Sequence, residues 1–206
     1  MYNLNQDEFS KLLSQHQSYV NSLGETGTKV QINKFNLSKL KIKNTTLTDS
    51  FITESIFYDN QFENVEIFDA NLCGCEFNNV VFFNSNFVKT DLSYSIFKNC
   101  KFINTKLIRC ETDQTIFEYT QFMSCVLEDI FSYSSLKNIL FCDMDLKHLE
   151  FYNVIIDNIK FKNIEEFDVN KAVISLNTGN FKNENIIKGE NAIEYFQKSC
   201  VYDQIG

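Results

Sequence analysis

Cys73 and Cys75, separated by one residue, are the first place where this sequence offers reactive side chains. Paired thiolates hold zinc when about two to four residues separate them and two further ligands converge. Here the gap is a single residue, and the only histidines, His16 and His148, are distant. Seven cysteines make an odd number, and their spacing matches no disulfide framework. Neither histidine stands where it would activate a serine or cysteine nucleophile. Gly74 is the only glycine between Gly27 and Gly179, which excludes a glycine-rich phosphate loop across the middle of the chain. The 27 carboxylates lie on what reads as a solvated surface, whereas acid–base catalysis needs burial to shift their pKa values. The residues therefore imply no catalytic site, no metal site and no cofactor, and the chain is read as not an enzyme.

What Cys75, Cys100, Cys110 and Cys125 do share is separation by multiples of five, and that period organises the chain. From Ile32 to Leu127, every fifth residue is Ile, Leu or Phe, with Thr112 the single exception in twenty. Neither a helix (period 3.6) nor a flat strand (period 2) produces this. Two places before each large apolar centre, from Thr45 to Cys125, the residue is Ala, Ser, Thr, Cys or Val, except at Asn60. Two places after it, Asn, Asp or Gly predominate, as at Asn79, Asn84, Asn99 and Asn104. Residues two apart in an extended segment face the same side, so the small and the large residue both point inward. Asn and Asp then turn the chain, because they tolerate unusual backbone angles. With no proline and six glycines in 206 residues, the turns depend on that chemistry.

Units such as Cys75-Glu76-Phe77-Asn78-Asn79 and Thr90-Asp91-Leu92-Ser93-Tyr94 resemble those of the pentapeptide-repeat family. The resemblance implies an all-β solenoid, a right-handed quadrilateral β-helix. Four units make a coil of about 20 residues, and the units counted here make six to seven coils, a rod roughly 30 Å long. After Leu127 the next centre is Phe131, only four residues on, which predicts one tightened corner. The period then resumes through Phe161, with Ile139, Met144, Leu149 and Ile159 at the inward small place, which predicts wider or distorted coils.

Coil stacks need closed ends. Residues 1–29 read as a capping helix and linker, with Phe9, Leu12, Leu13, His16, Val20 and Leu23 on one face. Asn5 and Glu8 form a capping box, and Gly24 is the C-cap. Residues 30–165 form the β-helix, and 166–206 an irregular segment with a short helix over 190–200. There Ile193, Tyr195 and Phe196 cap the last coil or join two copies as a homodimer.

Residues 20 apart stack on one outer face. Phe83, Ile103 and Met123 make one apolar column, Phe68, Val88 and Ile108 a second, and Ile96 and Ile116 a third. Columns of this kind add up to an apolar patch, which is either a partner or dimer surface or the result of the strand propensity of Ile and Phe. The formal charge of −8 opposes direct nucleic-acid binding and docking on an anionic membrane. No apolar run approaches the ~18 residues of a membrane span, and no leader is visible at the N-terminus, so the cytoplasm is the expected compartment. An acidic surface centred on Asp49, Glu54, Asp59 and Asp69 bears on the resemblance. Family members that confer quinolone resistance imitate B-DNA with a sustained acidic face and bind type II topoisomerases, DNA gyrase or topoisomerase IV. In this chain the column Asp49, Asp69 continues as Lys89 and Arg109, which interrupts the mimic. The leading reading is thus a non-enzymatic scaffold that binds a protein partner or itself through a face of the rod.

Overall fold

A computed structural model describes residues 1–128, 130–146, 151–165, 173–177, 184–188, 191, 194–195 and 200–202. Its main body is a parallel β-solenoid. One face shows the construction: the strands Gln61–Phe68, Val81–Phe83, Lys101–Ile103 and Gln121–Met123 stack at a spacing of 20 residues. On a neighbouring face Ile56–Tyr58, Glu76–Asn78, Ile96–Lys98 and Ile116–Glu118 do the same. A third face is thinner, held by single bridges from Phe51 through Asn71 and Asp91 to Glu111.

The corners explain the five-residue period. Among the described residues, the residue two places after each centre is left-handed, and this includes Lys89 (φ 53°), Tyr94 (61°), Arg109 (53°) and Tyr119 (52°) as well as the Asn and Asp positions. A side chain with a Cβ meets a cost of about 1–2 kcal/mol in that conformation, so the preference for Asn, Asp and Gly has a direct cause. Stacked amides add support along the corners. Asn64 donates to Asn44 at 2.8 Å, Asn79 to Asp59 at 3.1 Å and Asn163 to Asp143 at 2.8 Å.

The core is a pair of phenylalanine ladders. Phe57, Phe77, Phe97 and Phe117 stack with centroids 4.8, 4.6 and 4.9 Å apart. Phe62, Phe82, Phe102 and Phe122 stack beside them at 4.8, 4.7 and 4.9 Å. The small inward residues are polar for a reason that spacing alone does not reveal. Several donate to the carbonyl 23 residues earlier: Thr90 to Ile67 at 2.6 Å, Ser95 to Leu72 at 2.9 Å, Thr120 to Phe97 at 3.2 Å. A buried polar group left without such a partner costs about 1–3 kcal/mol, and the pairing removes that cost.

The expected tightened corner is present. Phe117 pairs with Leu136 and Glu118 with Lys137, a spacing of 19, before Ser135–Ile155 returns to 20. Phe131 is fully buried there, in left-handed conformation (φ 71°). Beyond it the short strands merge into two long ones, Ser135–Met144 and Phe151–Ile164, that run around the corners. Ile139, Met144 and Ile159 are buried inside them, and the ring ladder opens to 5.3 and 5.5 Å. Leu149 lies outside the described residues.

The helix Gln6–Asn21 covers the first coil, with the capping box of Asn5 and Glu8 closed at 3.0 and 2.9 Å. It buries Phe9, Leu13 and His16. Two details differ from expectation. The C-cap is Ser22 rather than Gly24, and Leu23 projects into solvent because it adopts φ 55° as the chain turns back. Gly27 then passes so close to the helix that a Cβ would sit 2.2 Å from the Gln15 carbonyl. The cap also contains a strand, Tyr2–Asn3, paired with Phe35–Asn36, that no periodicity announces. Gln6 closes the open edge further: its side-chain amide accepts from Lys41 N–H at 2.8 Å and donates to the Lys41 carbonyl at 3.2 Å.

Past the long strands, Val173–Asn177 and Glu184–Lys188 pair antiparallel, and Val173–Asn177 also runs parallel to the segment beginning at Phe151. Cys200–Tyr202 pairs in parallel with Ile159–Phe161. Of the helix expected over 190–200, residues 191, 194 and 195 are described and helical, whereas Cys200 is not helical but begins the strand Cys200–Tyr202, because it pairs with Ile159. No helix among the described residues is long and apolar enough to cross a membrane.

Candidate protein-binding surface

The cysteines occupy the inward small places. Cys75, Cys100, Cys110 and Cys125 donate to the carbonyls of Ile52, Phe77, Phe87 and Phe102 at 3.1–3.6 Å. Burial pushes the thiols of Cys75, Cys100 and Cys110 up to about 12 and that of Cys125 to about 11. Thiols this hard to ionise are poor nucleophiles and poor metal ligands. Among the described residues no three His, Cys, Asp or Glu side chains converge as a metal site. His16 is buried in the cap, its Nδ1 accepting from Val30 N–H at 3.1 Å. His148 lies outside the described residues.

Outward-facing positions form continuous columns because residues 20 apart are strand partners. Phe83, Ile103 and Met123 align through direct strand pairing, and so do Phe68, Val88 and Ile108. Phe83 is exposed, and the other five are half-buried by their neighbours in the column. Each column therefore presents its side chains as one strip rather than as separate points. Ile96 and Ile116 align in the same way, with Ile116 exposed.

The acidic residues are differently placed. Asp49 pairs with Lys29 at 2.7 Å and Glu54 with Lys34 at 3.2 Å, while Asp59 accepts from Asn79. Hydrogen bonds from Asn33 and Lys34 hold the Glu54 carboxyl below its usual range. Asp69 is exposed at its corner. Successive backbone bonds, Asp49 N–H to Phe68 O, Asp69 N–H to Val88 O and Lys89 N–H to Ile108 O, run layer by layer along this corner. Lys89 and Arg109 therefore stand directly in line with Asp49 and Asp69, and the negative column stops after two layers. At the far end, Tyr195 is half-buried against the core, whereas Ile193 and Phe196 lie outside the described residues.

One exposed cluster joins Ile116 of the third column to residues that no sequence column contains. Tyr94, Ile116, Tyr133, Tyr152 and Ile155 are each 37–57% exposed along a single edge. Tyrosines at a turn position carry no apolar signal by themselves, and the shortened corner moves Tyr133 out of the five-residue count.

Residues 61–99 match the family model for pentapeptide repeats, in eight copies. No curated protein matches the chain in sequence. Among solved structures, trypsin-treated QnrB1, a plasmid-mediated fluoroquinolone resistance protein, is similar at 9% identity and TM-score 0.31, over 63% of this chain and 92% of that one. HetL, a pentapeptide repeat protein involved in heterocyst differentiation regulation in the cyanobacterium Nostoc, is similar at 11% identity and TM-score 0.30, over 78% of this chain and 79% of its own. The left-handed residue at every fifth position and the 20-residue strand register agree with the match, and residues 61–99 of this chain are pentapeptide repeats.

Proposed function

We propose that this rod is a non-enzymatic scaffold that binds a protein through its outer apolar columns. The observation that carries this reading is the alignment of Phe83, Ile103 and Met123 in one strip, with Phe68, Val88 and Ile108 in a second. A flat, rigid strip of this kind offers contact area with little side-chain entropy to lose on binding. Imitation of DNA is the weaker reading, since Lys89 and Arg109 break the acidic column, Lys29 neutralises its start at Asp49, and Lys34 pairs with Glu54 at another corner. The test is Phe83→Glu with Ile103→Glu, followed by sedimentation and affinity capture. Loss of a captured partner or of self-association, with thermal unfolding unchanged, supports the reading. Unchanged partners and unchanged mass overturn it.

A further inference from the structure

The shortened corner leaves a chemical gap on the edge that carries the tyrosines. In the column that leads to it, the small inward residue finds a carbonyl in each preceding layer: Cys75 donates to Ile52 at 3.1 Å, Ser95 to Leu72 at 2.9 Å and Thr115 to Leu92 at 2.8 Å. Ser134 is the next in that series, but the spacing across this step has fallen from 20 to 19. Its Oγ is buried without a partner, and so is Oδ1 of Asn153 at the following corner. The two residues are 3% and 2% exposed.

Both line a groove of about 300 Å³ whose walls include Gln114, Ile116, Tyr133 and Ile155. Tyr152 lies against Tyr133, edge to face with ring centroids 5.3 Å apart. Glu111 and Asp113, beside Gln114, are exposed and join no ion pair among the described residues. From residue 110 to residue 136 the chain contains no lysine or arginine.

We propose that this edge binds an extended segment of a partner protein that carries a lysine or arginine beside an apolar residue. The proposal rests on the scaffold reading above and gives it a second docking edge with a defined partner chemistry. Ile116 and Ile155 take the apolar side chain. The tyrosine faces and the two carboxylates attract the cation. The Asn153 oxygen only accepts, so it calls for an N–H donor, and Ser134 serves as either donor or acceptor. Neither atom is open to water, so a donor reaches them when exposed Tyr133 rotates aside. A second copy of this chain is the poorer occupant, because each copy carries a net charge of −8.

The experiment selects a displayed library of random linear peptides on the immobilised full chain, then measures the enriched peptides by fluorescence polarisation. The expected pool carries Lys or Arg next to an aliphatic or aromatic residue. Binding should fall about tenfold or more with Ile116→Glu and be insensitive to Phe83→Glu. Ser134→Ala should also weaken binding without lowering the thermal midpoint, since no internal hydrogen bond is lost and the cost of burying an unpaired hydroxyl is removed. Acidic consensus peptides, or binders indifferent to both Ile116→Glu and Ser134→Ala, overturn the proposal. Binders lost only on Phe83→Glu sink this edge and leave the scaffold reading standing, whereas no enrichment at all counts against both.

Discussion

Phe97 is held between the rings of Phe77, 4.6 Å away, and Phe117, 4.9 Å away, and is fully buried. Truncation would empty one rung of a ladder whose neighbours are fixed by strand pairing and cannot collapse into the space. Phe97→Ala should therefore cost about 3–5 kcal/mol in chemical denaturation. A negligible loss would contradict the register itself. This rung was legible in the sequence because its centre, the small Ser95 and the turn former Asn99 repeat with the same phase as their neighbours. The reason that Ser95 is polar was not legible, since its partner is the Leu72 carbonyl on a different layer. Nor could residue type indicate that Arg109 and Tyr119 would take the left-handed corner, although the period places both there. Position overrides residue preference there because the flanking strands fix both ends of the turn.

At the scale of elements, the cap helix depends on a neutral histidine. His16 Nδ1 accepts from Val30 N–H, so the ring must keep that nitrogen unprotonated to hold the start of the first coil. Burial lowers its pKa below the usual 6.5, and the nearby Thr48 backbone and Asp49 carboxylate offset this only in part, while Lys29 adds to the lowering. The unfolded chain thus takes up the proton first as pH falls. Stability from this site is complete above about pH 7 and is lost progressively as pH drops below 6.5 toward the depressed folded value. Thermal midpoints followed from ~pH 8 to ~pH 5 should decline more steeply in the natural chain than in His16→Leu. Equal slopes would show that docking does not depend on the ring's charge. The helix and its capping box were readable from Asn5, Glu8 and the apolar face. The strand Tyr2–Asn3 was not, because two residues carry no periodicity and it exists only by pairing with Phe35–Asn36. The antiparallel pair Val173–Asn177 and Glu184–Lys188 was missed for a similar reason: it abandons the five-residue count on which the rest of the chain was read.

For the whole molecule, the coil register converts a linear sequence into columns, and each column has a composition of its own. Apolar strips and charge bands are consequences of residues 20 apart being neighbours. The apolar columns were visible in the sequence once the period was known. The tyrosine edge was not, since it depends on where the one-residue deletion is absorbed. The scaffold account assigns association to the apolar columns and gives the acidic corner no part in it. Sedimentation velocity and affinity capture on Phe83→Glu with Ile103→Glu, run beside Asp49→Lys with Asp69→Lys, separate the two surfaces directly. The account predicts that the first pair abolishes association and the second leaves it intact. Loss of association on the charge-reversed pair alone would contradict it.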